Sequence, residues 1–178
     1  MSWLFLGPNL LSGIGQVTKT YCELVDGEYV ENGSVPSKNH YDNCFAFILP
    51  IQKELDIIDK IVNKCSNRFF MTVCETEPVN PLYGLLTKYK PMYVPSEFCK
   101  TVLERQFPEM ECTVLRHYVP RPVTQPPNRE KPYTFYTICN AYDPRKNIYS
   151  LVNAFNSCNF PNARLVIKST ALKDLKID

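Results

Sequence analysis

A chain of 178 residues, 44% hydrophobic and 21% charged, suffices for one domain with a real core, or one and a fraction, but is short for two complete domains. Its 20 Lys and Arg against 18 Asp and Glu leave a net charge of +2, without the basic surplus or stripe of a duplex-binding protein, so no nucleic-acid partner is expected. The longest apolar runs, such as Cys44 to Pro50, are strand-length, and no transmembrane helix is expected.

Trp3 to Leu6 reads as a first strand rather than a signal peptide, because it lacks a basic leader and breaks at Gly7-Pro8-Asn9. Ile14, Val17, Tyr21, Leu24 and Val25 then fall on one face of a helix. Asp26 to Asn43 is polar and reads mostly as loop. Cys44 to Leu49 is a continuous apolar strand of the kind buried on both faces. Ile51, Leu55, Ile58, Val62 and Cys65 give a second amphipathic helix. Strands follow at Phe69 to Cys74 and Pro91 to Pro95, and Ser96 is a suitable N-cap for a helix carrying Phe98, Val102 and Leu103. Thr113 to Val119 reads as another strand. The alternation predicts an α/β fold, a Rossmann-like, doubly wound parallel sheet flanked by helices, over residues 1–120.

Pro120 to Pro132 holds five prolines, and residues 121–132 read as a semi-extended linker. Strand Tyr133 to Cys139, helix Asn147 to Cys158 and strand Arg164 to Lys168 then begin a second unit, residues 133–178. One strand–helix–strand unit cannot bury both of its faces, so it is expected to pack on the first domain, to self-associate, or to belong to a domain not completed here.

Eight cysteines are scattered without a CxxC pair, so neither a zinc ribbon nor a thioredoxin-like site is supported. Most sit in apolar runs, which favours reduced thiols and a cytoplasmic location over a secreted disulfide scaffold. His40 and His117 lack the companion ligands of a metal site and read as structural or surface residues.

Three segments could carry chemistry. Gly7 to Gly15 links a strand to a helix, where Gly13 and Gly15 would let backbone N–H groups approach an anion or a sugar hydroxyl; the plain alternative is an ordinary connection. Cys74 to Pro81 follows a buried strand and offers Glu75 and Glu77 as acid, base or hydroxyl acceptors; the alternative is a solvated loop. Asn140 to Asn147 sets Arg145 and Lys146 beside a helix start. Positive charge is unfavourable there unless an anion such as a diphosphate relieves it; the alternative is a solvated basic turn.

Ser12-Gly13-Ile14-Gly15, Glu75-Thr76-Glu77-Pro78 and Tyr93-Val94-Pro95-Ser96-Glu97-Phe98, in this order, resemble retaining glycosyltransferases of the GT-B type, glycosyltransferase family 4-like. Leu115 to Pro120, Arg145-Lys146-Asn147 and Ala163 to Lys168 extend the resemblance over nearly the whole chain. It implies a two-domain enzyme with its site in the interdomain cleft, transferring a sugar from a nucleotide-sugar to a glycan, lipid or protein-linked acceptor. A lipid acceptor would bring peripheral membrane contact. The Gly13 and Gly15 loop would approach the donor, Arg145 and Lys146 would hold its diphosphate, and Glu75 and Glu77 would face the acceptor. The nucleotide-sugar is a substrate; no cofactor and no metal are implied, and no Asp-x-Asp motif is present. The family's donor domain continues to a Glu-x7-Glu motif. The only such spacing here, Glu23 to Glu31, lies in the first domain and reads as chance, so the donor domain is expected to be truncated and this form inactive. The alternative is a shortened, non-catalytic relative acting as a binding or structural module.

Overall fold

Short apolar runs bounded by turn residues become the strands of a parallel sheet, seen in a computed structural model that describes residues 1–118 and 132–169. In the first part, β1 (Trp3–Gly7) leads into α1 (Gly13–Leu24), β2 (Glu28–Glu31), β3 (Tyr41–Phe47), α2 (Gln52–Val62) and β4 (Cys65–Met71). A 3₁₀ turn (Pro81–Leu86), β5 (Met92–Val94), α3 (Glu97–Gln106) and β6 (Cys112–Val114) complete it. The six strands are all parallel, in the order β2-β1-β3-β4-β5-β6. The chain therefore goes from β1 to one side, returns across it to β3, and then proceeds steadily to the other side. The reversal between β1 and β3 is a topological switch point, where flanking connections diverge and leave a crevice outside the carboxyl ends of the strands.

Side chains alternate across the sheet and build two cores. Leu4, Leu6, Cys44, Ala46, Ile48, Phe70 and Val94 face Leu55 and Ile58 of α2 and Val102 and Leu103 of α3. Phe5, Phe45, Phe47 and Met71 point the other way, toward Cys22 of α1. On that side Phe5, Phe45 and Phe69 are in register across three strands, and Trp3 stacks on Phe5 and Phe69; the Trp3–Phe5, Trp3–Phe69 and Phe5–Phe45 centroids are 5.6–5.8 Å apart. Truncating a fully buried residue such as Leu6 or Ile58 to Ala should cost about 2–5 kcal/mol.

Several boundaries differ from the sequence reading. The polar stretch read as loop contains β2, whose single buried side chain, Val30, gives no apolar run to detect. The second helix stops at Val62, and Cys65 opens β4 instead; the following Ser66, Asn67 and Arg68 are exposed, so this half of the strand carries no alternation. Cys74 lies past the end of β4. The last strand of this sheet, Cys112–Val114, starts one residue before its expected span and covers only the first two residues of it, and Leu115 N adds one further bond to Val94 O.

The chain divides into two compact units, Met1–Pro120 and Arg121–Asp178. In the second, β7 (Tyr133–Cys139) and β8 (Ala163–Ser169) pair in parallel through α4 (Ile148–Cys158), with a 3₁₀ turn (Pro144–Lys146) before the helix. Phe135, Phe155 and Phe160 form its small aromatic cluster. Most of the proline-rich linker expected at residues 121–132 lies outside the described residues. No helix among them is long and apolar enough to cross a membrane.

Candidate functional site

The loop between β1 and α1 opens at the switch point, and its own side chains shape it. Asn9 Oδ1 accepts from Leu11 N at 2.7 Å, an Asx turn that reverses the chain after Pro8. Ser12 caps α1: its Oγ accepts from Gly15 N at 2.9 Å and donates to Asn9 O at 2.7 Å. Gln16 Nε2 donates to Leu10 O, tying the loop to the helix it precedes.

The two glycines of this loop occupy different surroundings. A Cβ on Gly15 would stand 2.3 Å from Asn9 O and 2.7 Å from Pro8 O, so Gly15 exists to let the turn fold onto the helix. Gly13 is exposed, and a Cβ there would meet nothing within 4 Å. Of the pair, Gly13 leaves backbone open to an incoming group, while Gly15 lies beneath the loop carbonyls.

Glu75 and Glu77 follow β4 and so share the carboxyl rim with the Ser12–Gly15 turn, because β1 and β4 run in the same direction. With only β3 between them, their strands lie roughly 10 Å apart. The segment bearing the carboxylates is pinned to α3. Val79 N donates to Gln106 Oε1 at 2.9 Å, and Gln106 Nε2 returns a bond to Val79 O at 2.7 Å. Glu77 itself pairs with Arg105 of α3, which holds the loop against the helix. Glu75 is exposed. Beside it, burial pushes the Cys74 thiol up to about 12, so this cysteine stays protonated and is no nucleophile at neutral pH. All eight cysteines are free, and Cys22, Cys44, Cys65, Cys74, Cys99 and Cys112 are buried.

Beyond β6, His117, expected to be a structural or surface residue, has unusual surroundings. His117 Nε2 is buried without a hydrogen-bond partner, and burial holds the imidazole below its ordinary value. The neighbouring Arg116 carbonyl accepts from Tyr21 of α1, which fixes the chain as it leaves the sheet. Nothing in the local sequence Leu-Arg-His-Tyr signals this burial. Thr72, fully buried at the end of β4, likewise has an unpartnered Oγ1.

In the second unit, Arg145 and Lys146 lie in the 3₁₀ turn after β7, one step before α4 rather than within its first turn. Asp143 organises this turn. Its Oδ1 accepts from Arg145 N at 3.0 Å, and its carboxylate takes the guanidinium fork, with Nη2 to Oδ2 at 2.8 Å. Those hydrogen bonds hold the Asp143 carboxyl below the usual carboxylate range. Asn147 enters α4 in the left-handed region at φ 45°, and no side chain caps the helix. A cavity of about 300 Å³ opens here, lined by Tyr142, Asp143, Asn147 and Tyr149. Among the described residues no group of three or more His, Cys, Asp or Glu is placed to hold a metal. Compared with protein-family models and with curated proteins, the sequence matches none.

Proposed function

We propose that the chain is a retaining glycosyltransferase of the GT-B type, with residues 1–120 on the acceptor side and the second unit on the side of a nucleotide-sugar donor. The observation that carries this reading is the open Gly13 at a switch point of an all-parallel sheet, with the Glu75 loop on the same rim. Ligands of open α/β sheets gather at such rims. The uncapped start of α4 beside Arg145, Lys146 and a cavity adds a second place where backbone N–H groups and positive charge meet.

In this reading the acceptor's hydroxyl oxygen bonds to the sugar's anomeric carbon on the face from which the nucleoside diphosphate departs, the hydroxyl proton passes to the leaving phosphate oxygen, and the diphosphate's charge develops beside Lys146 and the α4 N–H groups. Stabilising that charge is the main catalytic service such a site can give. Arg145 joins only when the anion draws its fork from Asp143. Glu75 faces the acceptor, a glycan or lipid hydroxyl, while Glu77 and Gly15 position the loops that carry the site.

A non-catalytic module is the second reading, and a specific feature favours it. Glu77 is satisfied by Arg105 and Arg145 by Asp143, so both charges have structural work without any ligand. The two readings separate on nucleotide binding. A nucleoside diphosphate should raise the melting temperature of the chain, because a ligand specific for the folded state stabilises it by mass action. Binding on the order of millimolar, about 4 kcal/mol, is expected. Replacing Arg145 and Lys146 together with Ala should abolish the shift while leaving the unliganded melting temperature nearly unchanged. No shift at all would favour the module.

A further inference from the structure

In the first unit, on the side of the sheet opposite the Gly13 and Glu75 rim, a cavity of about 350 Å³ lies between the end of α2, Arg68 and Phe70 of β4, and the segment that leads into β5. Arg68, Lys88 and Lys90 line it together with one carboxylate, Asp59. Lys88 pairs with Asp59 at 2.8 Å, and the side chains of Arg68 and Lys90 form no ion pair with any described residue. The cavity thus holds a surplus of two positive charges. The carbonyl end of α2 at Asn63 offsets about half a charge of this and leaves the balance positive.

Tyr89 is only 4% exposed and lines the same cavity, with its ring packed on Phe70. Its hydroxyl is buried and no hydrogen bond of ordinary geometry satisfies it, while Asp59 and Lys88 approach it closely enough to act as weak, poorly aligned partners. A buried donor left unmatched is costly, so such a group commonly marks a place where a missing acceptor belongs. Three cations and one spare O–H donor converging on a concave surface complement an oxygen-rich dianion.

We infer that this cavity binds a phosphomonoester dianion, with Arg68 and Lys90 supplying the uncommitted charge and the Tyr89 hydroxyl donating to a phosphate oxygen. The ligand is a soluble sugar or glycerol phosphate, or the same group on a lipid head. The site is separate from the glycosyltransferase reading and stands or falls without it.

The test uses the whole chain in inorganic phosphate and in glycerol 3-phosphate, each against chloride at matched ionic strength, with vesicles containing phosphatidic acid as a further arm. Phosphate and glycerol 3-phosphate should raise the melting temperature saturably, with amide shifts at residues 88–90. In Arg68→Gln/Lys90→Gln, whose altered side chains are exposed, the dissociation constant should rise at least tenfold. Tyr89→Phe should melt no lower than the parent in chloride, since it removes an unmatched group, yet bind phosphate several-fold more weakly. Retention by vesicles that is competed by glycerol 3-phosphate would assign the lipid head as a source; retention without competition would contradict the pocket. Equal affinity in Arg68→Gln/Lys90→Gln, or no effect of phosphate beyond chloride, would overturn the proposal. Lys146→Ala should leave the phosphate effect intact, which separates failure here from failure at the transfer site.

Discussion

Gly15 and Gly13 stand two positions apart at the start of α1, and substitution should affect them in opposite ways. Gly15→Ala drives a methyl into the Asn9 and Pro8 carbonyls, which are backbone atoms and cannot rotate away; a loss of about 1–3 kcal/mol is expected in chemical denaturation. Gly13→Ala meets open space and gains helix propensity, so its stability should stay level or rise by up to about 1 kcal/mol. If Gly13 is where a donor approaches, the same methyl should still weaken nucleotide binding. Asp143→Asn should do the reverse: releasing the Arg145 fork should strengthen nucleoside diphosphate binding several-fold, measured by titration calorimetry. His117 supplies a pH dependence. Its folded-state value lies below the ordinary 6.5, so its contribution to stability is present above about 6.5 and is lost as pH falls through the lower, folded value. Melting temperature should therefore fall more steeply on acidification for the parent than for His117→Gln. The Ser96 cap was legible because a cap acts within three residues, whereas the same role of Ser12 shows only in the fold. Partnerships such as Glu77 with Arg105 were not, because they join positions that only the fold brings together.

At the scale of elements, the sequence speaks where burial is periodic. α1, α4, β1 and β7 emerge within a residue or two of their expected spans, since each carries its own apolar pattern. β2 is silent because an edge strand with one buried side chain is held mainly by its ladder to β1. The tail of the second helix was misassigned for a related reason: Cys65 continues the helical spacing while its backbone already pairs with Tyr41. The caps are the most direct handle at this scale. Ser96→Ala removes the bond from Cys99 N at 3.2 Å, and Ser12→Ala that from Gly15 N; each should cost about 1 kcal/mol. Thr at either position should restore most of it.

For the whole molecule, the distribution of burial matters most. Among the described residues, both core clusters draw only on residues 3–115, whereas in the second unit only Ala141 and Ile148 are buried apolar residues. A polypeptide of residues 1–120 should accordingly fold alone with a cooperative transition, and residues 133–169 alone should not, as circular dichroism on the two fragments would show. The parallel sheet was legible from the alternation of strands and helices, a local pattern repeated along the chain. The strand order, and with it the switch point between β1 and β3, was not, because nothing in a polar stretch such as Asp26 to His40 announces that the chain recrosses the sheet.

The central claim is that the carboxyl-end connections of this fold receive a nucleotide-sugar, and amide chemical-shift mapping of the full chain with a nucleoside diphosphate tests it most directly. The expected result is saturable shifts concentrated at Lys146 to Ser150, with Gly13 and Ile14 following when the sugar-bearing donor replaces the diphosphate. Shifts confined to the cavity around Lys88 to Lys90, or none at any concentration up to about ten millimolar, would contradict it.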